Sequence, residues 1–363
     1  MGSDVWVSIF SLSLLVISRR IISWSMYYIG RNPETTVLHL NILWFVCSMI
    51  LLLYASGLIV GLVGWEGLGI SRFFLVAFRR SRSSLSGSYI TIVTNRIGDI
   101  GYLMAICYLW QVGSTFGCCM AVLLAAATKR RQYPFRSWLP AAIAAPTPVS
   151  RLVHSSTLVT AGIFIILRLG FGGFSMLSLI GLITMVGGGL VALLGQDAKK
   201  IVALSTLSQL GLITYSLSSC SEVLTLYHLL VHAYFKSLLF ICVGVLIHRT
   251  FGTQESRMGS DGSSPRGSLL LGLSSVIRMR GLVATSGAGS KHQLLERIGS
   301  SGGYISLAFL VIGRGFTVLY RGKLVRILSR VRSGRRASGC SGVDVWGVAP
   351  LLASVGLGRM FFL

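Results

Sequence analysis

The stretch LYHLLVHAYFKSLLF, residues 226–240, sets His228, His232 and Lys236 in an otherwise apolar run. Their i, i+4, i+8 spacing places them on one helical face, within roughly 80° and about 12 Å of helix axis. Three chemistries fit that pattern. A histidine pair at i, i+4 has metal-ligand spacing, but no HExxH and no evident third ligand accompanies it. Two histidines hydrogen-bonded inside a core would need no further role. A line of titratable groups forms a proton wire, because imidazole takes a proton on one ring nitrogen and releases it from the other. His154, in RLVHSSTLVTAG, adds a relay candidate with hydroxyls beside it.

Lysine usage points the same way. Of 33 basic residues 27 are arginine, and the six lysines are Lys129, Lys199, Lys200, Lys236, Lys291 and Lys323. Guanidinium keeps its proton in proteins, whereas a buried ammonium releases one readily. A lysine in the histidine stripe, and another at Lys129 beside a proline-rich break, are therefore candidate proton carriers. Lys323, in a basic stretch, reads as a lysine placed by chance. Between residues 40 and 250 the carboxylates are Glu66, Asp99, Asp197 and Glu222. Asp99 lies three residues after Arg96, a helix-face ion pair that reads as structural. Glu66, in VGWEGLGIS, has no cation within four residues and needs a partner from another helix; a charge in that setting is usually paired or functional.

These residues must be positioned by membrane helices. The chain has 363 residues, is 53% hydrophobic and only 12% charged, about half the charge of a soluble domain. Mean hydropathy is +0.75. Apolar windows long enough to cross a bilayer occur at 37–63, 86–110, 152–172, 174–194, 200–220, 224–247, 268–285, 304–320 and 345–363, with weaker ones at 5–30 and 117–128. The fold class is all-α: a polytopic transmembrane helix bundle of about 10–12 spans. The first span lacks the basic n-region and cleavage site of a signal peptide.

The net charge of +23 comes from arginines that flank the apolar runs, such as Arg79, Arg80 and Arg82. That pattern orients membrane proteins and meets anionic lipid such as cardiolipin, so no nucleic-acid partner is expected. The seven cysteines contain no CxxC, and there is no GxGxxG or GxxxxGK[ST]. No metal, iron–sulfur cluster, flavin, dinucleotide or ATP site is expected in the chain.

The chain reads as a single membrane domain, 1–363, with a Gly/Ser-rich connection, RTFGTQESRMGSDGSSPRGS, after the first 248 residues. TKRRQYPFRSWLPAAIAAPTP holds four of the seven prolines, so a helix through 117–128 is expected to break near Pro134. Broken helices at membrane depth line cavities and place ion sites.

Five stretches, GWEGLGISRFFL, NRIGDIGYLMA, KRRQYPFRSWLPAAIAAPTPVSRLVHSSTLVTAGIFIILR, QDAKKIVALSTLSQLG and LYHLLVHAYFKSLLFICVGVLIH, together resemble the antiporter-like, proton-translocating subunit 5 family of respiratory complex I. The resemblance runs in order over about 40–250, with a divergent tail over 251–363. It implies an antiporter-like fold with discontinuous helices. Glu66 then corresponds to a membrane glutamate paired with the lysine matched by Lys129, His154 to a bridging histidine, and His228, His232 and Lys236 to a central proton axis. SGAGSKHQLLE resembles a second broken helix whose lysine is Lys291, although His292 stands where the family has an acidic residue. Asp197, Lys199 and Lys200 match a loop-to-helix junction.

The resemblance further implies a multi-pass protein of the mitochondrial inner membrane, or of a bacterial plasma membrane, beside other antiporter-like membrane-arm subunits. NADH, FMN, iron–sulfur clusters and ubiquinone would belong to partner subunits. The chain aligns from near the family's third span and lacks a counterpart of its long lateral helix. The competing readings are a large subunit of a multisubunit cation/proton antiporter and a membrane-arm subunit that no longer pumps.

Overall fold

The computed structural model describes residues 2–30, 33–112, 115–135, 145–155, 157–170, 175–219, 222–249 and 304–329, together with 276, 291–293 and 296. Eleven α-helices lie among them: α1 (Gly2–Ile29), α2 (Pro33–Tyr54), α3 (Leu58–Ala77), α4 (Arg82–Cys107), α5 (Thr115–Lys129), α6 (Thr147–Ser155), α7 (Leu158–Arg168), α8 (Ser175–Leu194), α9 (Ala198–Ser219), α10 (Glu222–Arg249) and α11 (Tyr304–Ser329). A π-helical turn, Tyr108–Val112, prolongs α4. Seven of the described helices are long and apolar enough to cross a membrane: α1 to α4 and α8 to α10.

Several boundaries differ from the apolar windows. The window 37–63 is two helices, broken at residues 55–57 around Gly57, which caps α3 in an extended conformation. Glu66 consequently lies near the middle of a membrane-length helix rather than past the end of one. The window 152–172 is divided between two short helices, α6 and α7, with the break beside Thr157. Helix α11 runs past the apolar window 304–320 to Ser329 and carries Arg314, Arg321, Lys323 and Arg326. The windows 268–285 and 345–363 fall outside the described residues, apart from Val276.

Helix α5 has 15 residues. At 1.5 Å per residue it is about 22 Å long, short of a 30 Å hydrocarbon core. It ends at Lys129, five residues before Pro134. The stop is a Schellman cap: Gln132 N–H donates to Ala127 O at 3.0 Å and Arg131 N–H to Thr128 O at 3.4 Å, with Arg131 left-handed at φ 61°. The cap thus ends the helix in a site that glycine usually fills.

The chain forms two compact units, Met1–Ile180 and Gly181–Leu363. In the first, α3 packs on α2 and α4, α4 on α5, and α5 on α7. Phe10, Phe45, Met49, Trp65 and Leu68 are buried there. Most helical hydroxyls donate back to a carbonyl three or four residues earlier, as Ser13 does to Phe10 O at 2.7 Å. That bond lets polar residues sit in apolar helices without leaving a donor unmet. In the second unit α9 packs on α10 and α11. Lys323 donates to Leu193 O at 2.9 Å and to Gly195 O at 2.5 Å. It ties α11 to the carbonyl end of α8, where a cation offsets the helix dipole.

Candidate functional site

In the first unit three helices bring the charged groups together. Helix α3 carries Trp65 and Glu66, α4 carries Asn95, Arg96 and Asp99, and α5 ends in Lys129. The close approach of α4 to α5 requires glycine. A β-carbon at Gly98 would overlap the Thr128 hydroxyl, and one at Gly101 would come within 3.0 Å of Ala121 O. This contact sets Asp99, the neighbour of Gly98, against Lys129, the neighbour of Thr128.

Lys129 has no exposed surface. Its Nζ donates to Trp65 O at 2.5 Å, lies 3.8 Å from Asp99 Oδ1 and sits 3.9 Å from the centre of the Trp65 ring. Trp65 Nε1–H donates to the same Asp99 Oδ1 at 3.0 Å. The indole therefore touches both members of the pair, holding the carboxylate by its edge and the ammonium over its face. The last turn of α5 adds its own partial negative charge beside the ammonium.

Glu66 connects to this pair through arginine. Arg96 Nη1 lies 3.6 Å from Asp99 Oδ2 and 4.0 Å from Glu66 Oε1. The side chains of Arg96, Glu66, Asp99 and Lys129 are 61%, 41%, 11% and 0% exposed, so the chain of charges runs from surface to interior. The carboxylate within ion-pair distance of Lys129 is Asp99; its i, i+3 contact with Arg96 is one half of a three-group bridge. His154 lies on the last turn of α6, and its side chain is outside the described residues.

In the second unit His228, His232 and Lys236 lie on consecutive turns of α10, all within 1% of complete burial. Lys236 Nζ donates to Ser205 Oγ at 2.6 Å and, more weakly, to Val202 O at 3.4 Å. The Ser205 hydroxyl spends its proton on Val202 O at 2.7 Å, so its lone pair faces the ammonium. Phe235 stands edge-on to the His232 ring, with centroids 5.2 Å apart. Lys291, on a described helical fragment, is buried, and it and Arg321 are within electrostatic reach of His228. His292 pairs instead with Glu296 at 3.0 Å on the surface.

At the loop-to-helix junction, Asp197 accepts from Ile201 N–H at 2.9 Å through its carbonyl and from Lys200 at 2.6 Å through its carboxylate. Trp65 and Ser205 complete the two sites. The signal for Trp65 was its place beside Glu66; Ser205 carried none, since it is one of many hydroxyls in these helices. Among the described residues no three His, Cys, Asp or Glu side chains converge as metal ligands.

The family described as NADH:quinone oxidoreductase/Mrp antiporter, transmembrane, matches residues 55–317, which include all of these groups except Arg321. NADH-ubiquinone oxidoreductase chain 5 of Aedes aegypti is 39% identical over 346 residues, covering 88% of this chain and 59% of that protein. The protein of the same name from Anopheles arabiensis is 42% identical over 274 residues, covering 70% of this chain and 71% of the relative. A solved chain of the Mrp complex from Dietzia superposes with a TM-score of 0.84 at 25% identity, covering 99% of this chain and 43% of that one. The chain thus spans about three fifths of the length of its Aedes relative. With 263 of its residues matched, including the buried Lys129 and Lys236, the chain belongs to the NADH:quinone oxidoreductase/Mrp antiporter transmembrane family and groups there with the NADH-ubiquinone oxidoreductase chain 5 proteins.

Proposed function

We propose that this chain is a proton-translocating subunit in the membrane arm of an NADH:ubiquinone oxidoreductase of the mitochondrial inner membrane, working beside other antiporter-like subunits. NADH, flavin, iron–sulfur clusters and ubiquinone would be handled by partner subunits, whose redox chemistry reaches this chain as a change of conformation or field. The observation that carries the proposal is the fully buried Lys129, held by Asp99, Trp65 and the end of α5 in a helix too short to span a bilayer.

The geometry supports a charge-gated release. At an effective dielectric of about 20, opening the 3.8 Å Lys129–Asp99 contact to about 7 Å removes roughly 2 kcal/mol of attraction, more than a tenfold change in proton equilibrium. Arg96 is placed to draw Asp99 away, since it already touches that carboxylate and Glu66. Lys236, with Ser205 as acceptor, offers a second buried station in the other unit, and His228, His232 and Lys291 extend it.

The test is proton uptake by vesicles containing the assembled complex, measured beside electron transfer. Lys129→Ala removes the carrier and Lys129→Arg keeps a charge that does not leave. Both are expected to lose pumping while the complex assembles. Normal pumping by the arginine variant would reduce Lys129 to a fixed charge and defeat the relay. The likeness to the Mrp chain supports a second reading, cation/proton exchange without redox partners. Flavin and iron–sulfur clusters co-purifying with this chain would decide for the first.

A further inference from the structure

A small cleft opens between α3 and α4, where Glu66, Asn95, Arg96 and Asp99 stand among Gly69, Ile70 and Ile92. Asn95 is unusual there. It is only 4% exposed, yet neither its Oδ1 nor its Nδ2 meets a hydrogen-bond partner among the described residues. A buried amide offers two donors and two acceptor lone pairs, and buried polar groups of this kind are almost always satisfied by protein or by ordered water. Gly69 leaves room beside it: a β-carbon at that position would stand 3.5 Å from Asn95 Nδ2. Asn95 precedes Asp99 by one turn of α4, so the two side chains are neighbours on one face. Four of the lining side chains, Glu66, Asn95, Arg96 and Asp99, are polar, enough to give a water the two to four partners it needs.

We propose that Asn95 anchors an ordered water that links Glu66 at the mouth of the cleft to Asp99 at its floor. This inference rests on the proton-translocation reading. The water accepts a proton on its oxygen from the Glu66 carboxyl and passes a different proton to an Asp99 oxygen, within reach of Lys129. One O–H bond forms as another breaks, and the water is regenerated. An amide suits this place because it orients water without taking up the proton, whereas another carboxylate would compete for it. Asn95 is a positioning residue, acting through the water.

The test uses the assembled complex in vesicles, with Asn95→Leu, Asn95→Ser and Lys129→Ala. Asn95→Leu keeps the branched shape, with methyl groups in place of the amide oxygen and nitrogen, and removes every side-chain hydrogen bond. Proton uptake per electron transferred should fall roughly two- to tenfold, the effect of losing one hydrogen bond of ordinary strength, with quinone reduction unchanged. Asn95→Ser leaves a hydroxyl and space for water and should recover most of the loss. If both variants lower assembly and electron transfer together, Asn95 is structural and the proposal fails. If Lys129→Ala abolishes pumping while Asn95→Leu pumps normally, the water path alone is overturned; if Lys129→Ala pumps normally, the translocation reading is lost. A high-resolution map of the unmodified complex is independent of folding. Density for a water within hydrogen-bond distance of the Asn95 amide supports the proposal. An amide satisfied by a neighbouring subunit's side chain refutes it.

Discussion

Trp65 does more than fill space between α3 and α5. It gives Lys129 a carbonyl and a ring face, and gives Asp99 an N–H. Trp65→Phe retains an aromatic face and the carbonyl but strips one donor from the carboxylate. A loss of about 1–2 kcal/mol in stability is expected, the usual cost of a buried acceptor losing its partner. Combining it with Asp99→Asn in a double-mutant cycle, read by thermal unfolding in detergent, should show coupling between the two; additive losses would mean that the 3.0 Å bond contributes nothing. Ser205 is tested in the same spirit. Ser205→Ala leaves Lys236, among the described residues, with the 3.4 Å contact to Val202 O, and pumping should slow, while Ser205→Thr, which keeps the hydroxyl, should restore it. Equal rates in both variants would place Lys236 outside the proton path.

At the scale of elements, the end of α5 holds a strained residue. Arg131 holds the left-handed position of its C-terminal cap at φ 61°, a conformation that costs a residue with a β-carbon about 1 kcal/mol. Arg131→Gly is therefore expected to raise the unfolding temperature, despite deleting a large side chain. Arg130, one residue earlier, is fully buried with no hydrogen-bond acceptor for Nε, Nη1 or Nη2 among the described residues, and its Cδ crowds Gly162. A buried charge without a partner is costly by several kcal/mol. Arg130→Ser leaves a hydroxyl able to bond back to Ala126 O or Ala127 O, as other hydroxyls here do. It should stabilise the protein by about 2 kcal/mol; a destabilised variant would reveal a counter-charge outside the described residues. Gly98→Ala acts in the opposite direction. The added methyl meets Thr128, so α4 and α5 should separate at a cost of about 1–3 kcal/mol, and pumping should fall with stability as Asp99 leaves Lys129.

For the molecule as a whole, the apolar helices and the +23 charge have separate jobs. The helices hold the chain in the bilayer, and most of the arginines lie at helix ends or between apolar runs. Redox chemistry is expected elsewhere. The chain purified alone should show no flavin or iron–sulfur absorbance, while the same chain drawn from its membrane with its neighbours should bring both; bound flavin on the isolated polypeptide would overturn the proposed division of labour.

Hydropathy and helical period are local properties, so the sequence by itself determined the membrane class, an all-α fold and the alignment of His228, His232 and Lys236 on one face of α10. The break after α5 was also legible as a region, because four prolines cluster there, but its position was not: the helix stops at Lys129 because an arginine adopts a conformation usually left to glycine. What only the tertiary structure decided is which groups meet. Glu66 and Asp99 are both carboxylates in apolar helices, and nothing in their spacing says which one reaches Lys129. The rotation of α4 against α5, set by Gly98 and Gly101, brings Asp99 to the ammonium and leaves Glu66 to Arg96. Ser205, 31 residues from Lys236, and the carbonyl of Trp65, 64 residues from Lys129, were invisible for the same reason: hydrogen bonds between helices depend on packing and register, and these are not written in the periodicity of either helix.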